Sequence, residues 1–431
     1  MRGDHSGHGP CIRLLRFARS VGSGVWPALA LSVAYAQAVP AAELRALTER
    51  QAVELALSRP AYRELGEGRL AIAGSAVTEA TLLPNPVFAW EQDRINRVTG
   101  RSVESTVKVL QTFDISGRRA LRREAASIRV DAARFDEEDR RLNTIDEVRR
   151  LFGESLYRQE TGAAYTRWLM RIAAATDIVR SLAKAGEASG YDRRRLEREA
   201  MTAKARAASV SADYARMREA MAGLIGKSGG EVIALEGELL PGNAPPLEAV
   251  QNALRQRPDL ASLNAQADAY DLERNAAERA WIPDVTLGVG QKRSEELGRT
   301  DTGPMLGFSI SLPFFDRGQA REQRAQARAS TLRAEQSLTY ARLEAALRGV
   351  WRQAAELRQV AASFRRESLG SSRDLTHIAE AAYRAGEGNI LDLLDAYRAE
   401  LNAETTALDL ELRARLARIE LDVLSGARTH E

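Results

Sequence analysis

The residue types that most often carry chemistry are few in this chain and lie far apart. Among 431 residues there are four histidines and one cysteine. Cys11, His5 and His8 stand in an N-terminal leader-like segment, His430 is the penultimate residue, and His377 is alone in a helix-like segment. The sequence shows no phosphate-binding glycine loop, serine elbow or HExxH motif. It therefore predicts no enzyme, no cofactor and no metal centre.

The remaining candidates are carboxylates that stand at two similar turns. The turns read AGEASGYD at residues 185–192 and AGEGNILD at residues 385–392. A glycine just past one helix and an aspartate opening the next are ordinary capping residues, which is a structural explanation for Asp192 and Asp392. For Asp395 the structural explanation is a solvated helix face. The role of these carboxylates therefore depends on where the preceding elements place the two turns.

Two very long helices are predicted to lead into the turns. No proline occurs from Arg119 to Ala185 or from Gln319 to Ala385, and each run of about 67 residues would span roughly 100 Å as a helix. Apolar residues recur every seven positions in the first run, which indicates a coiled-coil seam with small side chains. The seam consists of Leu121, Ala125, Ile128, Ala132, Phe135 and Leu142.

Four strands are predicted before these helices, at Val87–Asp93, Ser105–Phe113, Asp284–Arg293 and Gly307–Phe314. Each alternates with period two, so one face is apolar and the other is small or polar. In the third strand, for example, Val285 and Leu287 oppose Thr286 and Gly288. The pattern fits strands of a transmembrane barrel, with lipid on one side and water on the other. A small soluble sheet that caps the helices is the alternative.

The strands also predict an oligomer. Past the leader, no run approaches eighteen uninterrupted apolar residues, so no transmembrane helix is expected. Four strands cannot close a barrel, and an unpaired strand edge is not tolerated in hydrocarbon because no water bonds its backbone. An embedded sheet would therefore require several copies of the chain to pool their strands.

The N-terminus is predicted to be a signal peptide covering residues 1–38. Arginines precede a mostly apolar run at residues 25–36, and Ala36-Gln37-Ala38 fits the small-residue rule for cleavage after Ala38. A membrane anchor is the alternative. Cleavage would remove four arginines, one aspartate and Cys11, and would take the formal charge from +3 to zero. The basic composition is thus no argument for nucleic-acid binding.

The rest of the chain is predicted to be a tandem duplication. Arg59-Pro60 corresponds to Arg257-Pro258, Pro84 to Pro283 and Gly186 to Gly386, at a spacing of about 200 residues that exceeds any solenoid repeat. The order of predicted elements also agrees between the halves. We expect a first unit at residues 39–240, a second unit at residues 241–425, and a tail at residues 426–431.

At this point the motifs support a resemblance. LLPNP precedes the first strand, QTFDISGRR follows the second, SLPFFDRGQ follows the fourth, and AYRAGEGNILDLLDAYRAE contains the second turn. Their order resembles the TolC-type outer-membrane efflux family over about residues 45–425. The LLPNP and SGRR elements are similar to its heavy-metal cation branch, which works with a resistance-nodulation-division pump.

The resemblance implies a mainly α fold with a small transmembrane β-barrel contribution. Three chains of a homotrimer would supply four strands each to one twelve-stranded barrel in the outer membrane of a Gram-negative bacterium. Their helical hairpins would form a tunnel across the periplasm. The two turns would be tips that dock a periplasmic adaptor through Gly186, Ser189, Gly386 and Gly388. Loops at residues 94–104 and 294–305 would face the exterior.

The resemblance also implies a gate at the tips. Asp392 and Asp395 match the family's acidic constriction, and Asp192 and Tyr383 match positions that brace the closed tip. Some members carry a basic residue where this chain has Gly388, so a charge-paired lock with Asp192 does not carry over. The implied function is a passive duct for metal cations. The alternatives are a duct for drugs or secreted protein, and a periplasmic coiled-coil scaffold or adaptor with a soluble β domain.

Overall fold

The computed structural model of the chain describes residues 46–98, 100–184, 189–227 and 234–426. The predicted signal peptide and its cleavage site, the end of the predicted tail and the tip residue Gly186 lie outside these ranges. The first half contains β1 (Leu47–Thr48), α1 (Glu49–Ser58), α2 (Pro60–Thr81), β2 (Val87–Arg97), β3 (Gly100–Phe113), α3 (Arg118–Lys184) and α4 (Gly190–Ile225).

The second half contains β4 (Leu235–Glu236), α5 (Leu247–Arg255), α6 (Pro258–Glu278), β5 (Val285–Glu296), β6 (Arg299–Ile310), α7 (Gln319–Phe364), α8 (Gly370–Arg384) and α9 (Ile390–Ser425). A 3-10 turn, Arg279–Trp281, follows α6, and a π-helical segment, Arg365–Leu369, joins α7 to α8. The strands β1 and β4 form a short parallel pair, and the other four form one antiparallel sheet in the order β2-β3-β5-β6.

The strand ends correct the sequence-based boundaries. The segments predicted as exterior loops, 94–104 and 294–305, are mostly strand, because pairing continues to Arg97 with Gly100 and to Glu296 with Arg299. Each hairpin therefore closes through two residues. In the second, Leu297 and Gly298 have φ values of 51° and 79°, and positive φ at both central residues matches the twist of a hairpin. The fourth strand ends at Ile310, four residues before the predicted end.

One of the two predicted long helices is not continuous. α3 runs unbroken over 67 residues, but the corresponding run in the second half is interrupted by the π-helical segment. This segment begins at Arg365, which binds the buried carboxylate of Glu411 with one nitrogen-oxygen distance of 2.7 Å. It is followed by Gly370, a residue of low helix propensity. In the predicted seam of α3, the alanines 125 and 132 are buried and the larger members are half-buried.

The duplicated Arg-Pro pair has the same structural role in both halves. Each proline is the first residue of its helix, α2 or α6, where its missing N–H costs nothing. Arg59 donates to two carbonyl oxygens in the last turn of α4, both at 3.1 Å. Arg257 does the same for Val423 and Leu424 in the last turn of α9. The arginines thus satisfy helix carbonyls that have no partner within their own helix.

The connection between the halves is held against α7 and α9 by side chains that bond its carbonyl oxygens. Arg358 donates to Pro241 at 3.0 Å, and Trp351 donates to Pro245 at 2.8 Å. Arg418 of α9 donates to Asn243 at 2.8 Å. Since prolines in this connection have no N–H to offer, these carbonyl contacts are what fix it on the helices.

Candidate functional site

One face of the four-stranded sheet is apolar and uncovered. Directly opposite residues of an antiparallel sheet share a face, and the register places Phe88, Val109, Val289 and Leu306 in one row. Their exposed fractions are 68%, 43%, 60% and 84%. Neighbouring rows contain Trp90 with Val107, Leu287 with Phe308, and Phe113 with Val285 and Ile310. Four such rows extend about 20 Å along the strands, close to the ~25 Å apolar band of membrane barrels.

The opposite face of the sheet is polar. Lys108 pairs with Glu91 and Lys292 pairs with Glu104, each at 2.7 Å, and both pairs join neighbouring strands. The other positions on this face include Gly288, Gly290, Gly303 and Gly307. Ion pairs and small residues suit a surface in contact with water rather than with hydrocarbon.

Two edges of the sheet have no partner strand among the residues that the structure describes. β2 and β6 each pair on one side only, with β3 and β5 respectively. Pro304 lies in β6 opposite Gln291, and proline within a sheet is confined to edges, strand ends and bulges. None of the helices in the described ranges contains an eighteen-residue window apolar enough to cross a bilayer.

The second surface of interest is the turn between α8 and α9. Gly386 has φ 75°, the Glu387 N–H donates to the Ala382 carbonyl at 2.9 Å, and the Gly386 N–H donates to the Tyr383 carbonyl at 3.2 Å. These contacts form a Schellman cap, which needs a residue in the left-handed conformation. A Cβ on Gly388 would lie 3.3 Å from Ala382 Cβ, so Gly388 lets the chain pack tightly on the helix end.

The predicted gate aspartates occupy matched positions at the starts of α4 and α9, but they are not the N-cap residues. Ser189 and Asn389 are the N-caps. Asp192 is three residues further on and accepts the Ser189 N–H at 3.2 Å; Asp392 accepts the Asn389 N–H at 3.4 Å. Each aspartate thus completes a reciprocal capping box. The expectation that the aspartates are the N-caps is therefore corrected: Ser189 and Asn389 take the cap position, and the aspartates cap from the third helical position.

Tyr383 and Asp192, which belong to different helical hairpins, interact electrostatically. Tyr383 is buried in a cluster with Leu393, Leu394 and Tyr397. Burial raises the pKa of the Tyr383 hydroxyl, and the negative charge of Asp192 raises it further. Asp392 and Asp395 are both exposed on α9 and form no ion pair with any residue that the structure describes, although the charge of Asp395 helps to raise the pKa of Arg398. Ser189, Gly386 and Gly388 occupy the turns as described.

Sequence reasoning missed the contacts that join α9 to its neighbours near the turn. Arg398 of α9 binds Glu199 of α4, with Nε 2.9 Å from Oε1, and its hydrogen bond lowers the pKa of the Glu199 carboxyl. The Tyr397 hydroxyl donates to Glu380 of α8 at 2.9 Å. Burial raises the pKa of Tyr397, and the bond to Glu380 raises it further. These partners are far apart in sequence or on different helices, so no local pattern signals them.

Two ion pairs join α9 to α3, further from the turn than the contacts of Tyr397 and Arg398. Glu400 is buried and binds Arg171 of α3. One turn along α9, Glu404 binds Arg167 at 2.7 Å. A buried carboxylate requires such a partner because its desolvation is costly. Within the described ranges, no group of three or more histidine, cysteine, aspartate or glutamate residues is arranged to hold a metal ion.

Comparisons with known proteins agree on one family and one fold. The model of the family described as outer membrane efflux protein matches residues 80–227 and 249–427. The cobalt-zinc-cadmium resistance protein CzcC of Cupriavidus metallidurans is 24% identical over 81% of this chain and 83% of its own length. The nickel and cobalt resistance protein CnrC of the same organism is 26% identical over 74% and 75%. The chain thus resembles heavy-metal resistance proteins.

Solved structures confirm the predicted fold class. The outer membrane protein VceC of Vibrio cholerae superimposes with a TM-score of 0.70 at 17% identity, over 88% of this chain and 96% of VceC. CusC, which undergoes conformational changes on folding and transmembrane channel formation, superimposes with a TM-score of 0.70 at 16% identity, over 88% of this chain and 91% of CusC. With the family model covering most of the chain, this protein belongs to the outer membrane efflux protein family, a group of outer-membrane channels with periplasmic helical tunnels.

Proposed function

We propose that three copies of this chain form one passive duct that crosses the outer membrane and the periplasm. The observation that carries the proposal is the four-stranded sheet, which has one apolar face, one polar face and two free edges. Apolar residues facing lipid and ion pairs facing water are the arrangement of a membrane barrel. The free edges require partners in hydrocarbon, and other copies of the chain supply them.

The strand directions support closure into a ring. Because β2, β3, β5 and β6 alternate in direction, the two edge strands run opposite ways. The free edge of β2 in one copy can therefore pair antiparallel with the free edge of β6 in the next. Such a head-to-tail interface generates a ring when the rotation between copies closes. The three copies implied by the family resemblance would make a barrel of twelve strands. In this arrangement residues 39–240 and 241–425 act as duplicated units, each with two strands and a helical hairpin.

The turns at 185–189 and 385–389 form the periplasmic end of the proposed duct. Asp392 and Asp395 are exposed and unpaired on α9, so threefold symmetry would set them in two rings of carboxylates that attract cations. The Tyr383 and Asp192 pair braces the closed end. Ser189, Gly386 and Gly388 form the surface that docks a periplasmic adaptor, and by sequence correspondence with Gly386 we assign Gly186 to the same role. The adaptor in turn engages a resistance-nodulation-division pump of the inner membrane.

The proposed cargo is metal cations. The support is the similarity to CzcC and CnrC, whose names describe resistance to cobalt, zinc, cadmium and nickel. The acidic rings at the tip are of the right charge for cations and would disfavour anions. In this proposal the chain is a conduit, and the choice between metal ions is made by the pump and the adaptor.

The duct predicts channel activity from an oligomer. Protein extracted from outer membranes should have the mass of three chains by native mass spectrometry, and it should conduct ions in planar bilayers. It should also stay in the membrane fraction after a carbonate wash. A stable monomer that washes off and gives no current would contradict the duct and favour the periplasmic scaffold.

The proposed cargo predicts a metal phenotype. A strain that lacks this gene should become several-fold more sensitive to cobalt, zinc, cadmium or nickel, while its sensitivity to organic antibiotics stays the same. The wild-type gene on a plasmid should restore resistance. A strain that becomes sensitive to antibiotics alone would show that the duct carries drugs rather than metal ions.

A further inference from the structure

The junction between the sheet and the helices exposes an apolar surface that the protomer does not cover. Phe113 pairs with Val285, and Val285 pairs with Ile310, so β3, β5 and β6 all enter or leave the sheet at the same end. Just beyond that end, Trp281, Phe314 and Phe315 have exposed fractions of 62%, 67% and 93%. Trp281 precedes β5 by four residues, and Phe314 and Phe315 follow β6 by four and five residues, so all three lie close to the last apolar row in sequence.

Exposed arginines are found at the same end of the sheet. Arg119 and Arg123 are in the first two turns of α3, which starts five residues after β3 ends, and Arg317 follows Phe315 by two residues. All three side chains are exposed, and none forms an ion pair with any residue in the described ranges. Arg118, which precedes Arg119, is different, because it binds Asp284 at 2.5 Å.

The helix itself does not explain these arginines. Cations near a helix N-terminus are disfavoured by the helix dipole. α3 has no acidic residue in its first turn, and the Asp114 carboxylate just before it is engaged by the Arg119 backbone N–H and by Arg118 rather than by the side chains of Arg119 and Arg123. Exposed aromatic rings also weigh against a purely aqueous surface. Aromatic rings beside cations are instead typical of the boundary between hydrocarbon and lipid head groups.

We propose that Trp281, Phe314, Phe315, Arg119, Arg123 and Arg317 form a collar that binds anionic phospholipids of the leaflet that faces the periplasm. The aromatic rings lie at the level of the glycerol backbone, and the guanidinium groups bind lipid phosphates. The collar is continuous with the lipid-facing side of the sheet, and its charge is complementary to phosphate. The lipid collar rests on the proposed function, because it requires the sheet to be inserted in the membrane. Beyond that function, it specifies the class of lipid and the residues that bind it.

The test compares lipid binding to the purified oligomer by native mass spectrometry. Wild-type protein in detergent should bind phosphatidylglycerol about tenfold more tightly than phosphatidylcholine, as expected when several arginines act near a charged lipid surface. The triple variant Arg119→Ala, Arg123→Ala, Arg317→Ala should lose this preference. The same three positions changed to lysine should keep it, because the positive charge remains.

A matched control removes three exposed arginines that lie away from the junction and form no ion pair with the described residues: Arg216, Arg342 and Arg352. Their replacement by alanine should leave the preference intact. An unchanged preference in the collar variant, an equal loss in the control, or displacement of phosphatidylglycerol by millimolar inorganic phosphate would overturn the lipid collar. Bilayer conductance separates the two proposals: a failed collar leaves the wild-type current intact, whereas a failed duct shows no wild-type current at all.

Discussion

Replacing Gly290 with alanine is expected to prevent the sheet from forming correctly. Gly290 of β5 lies opposite Lys108 of β3. A Cβ at this position would overlap the Val107 carbonyl oxygen and lie 2.9 Å from Lys108 Cα. Both contacts are with backbone, which cannot rotate away, so β3 and β5 would have to separate. Forced overpacking costs about 1–3 kcal/mol and sometimes more, and here it falls on the central strand pair.

The matched control is Gly303→Ala, on the same polar face in β6. A Cβ on Gly303 would meet nothing within 4 Å, so this variant should fold as the wild type does. The measurement is the yield of heat-resistant oligomer in the outer membrane, together with thermal unfolding followed by circular dichroism. Equal yields and melting temperatures for the two variants would show that the close approach of β3 and β5 is not needed for the fold.

The second large effect is expected from Asp392→Asn combined with Asp395→Asn. If the two aspartates form rings at the end of the duct, the double variant removes six negative charges from three chains. A single charge about 4 Å from an ion in water contributes about 1 kcal/mol, or a factor of about five. Cation-over-anion selectivity in single-channel recordings should therefore fall at least several-fold. Asparagine keeps an oxygen that can accept the Asn389 N–H, so the capping box remains.

The control for this pair is Glu147→Gln combined with Glu420→Gln. Both glutamates are exposed, form no ion pair in the described part of the chain, and lie on helices far from the turns. This variant loses the same number of charges and should keep the wild-type selectivity. Selectivity that is unchanged in the aspartate variant, or lowered equally in the control, would remove Asp392 and Asp395 from the constriction.

Much of the fold was predictable because it follows from periodicity. The period-two alternation in β5 and the proline-free run of α3 each extend over many residues, so single exceptions do not hide them. The ends of the strands were not predictable in the same way. Residues near Arg97 and Glu296 are charged, and a charged segment is usually predicted to be a loop. Such residues can nevertheless continue the hydrogen bonding between two strands where the strands are in water. The positive φ of Leu297 is a further feature that no residue type signals.

The candidate site was predictable only in part. The AGE turns indicated a cap at Gly386, since a left-handed residue there favours glycine. The buried environment of Tyr383 and the ion pair between Arg398 and Glu199 depend on helices that meet only after folding. The π-helical segment at residues 365–369 was equally unpredictable from local sequence, because Glu411, which binds Arg365, lies on another helix. Such long-range partners leave no periodic trace in the chain.

The opposite directions of the two free edges leave the copy number open. Antiparallel pairing between β6 of one copy and β2 of the next can be repeated any number of times, so hydrogen bonding alone would accept two, three or four copies equally well. The number of copies must then be set by the angle at which the helices of neighbouring chains pack against each other. We therefore expect that substitutions on the sides of α3 and α7 that face a neighbouring chain, rather than substitutions in the strands, would change the diameter of the duct.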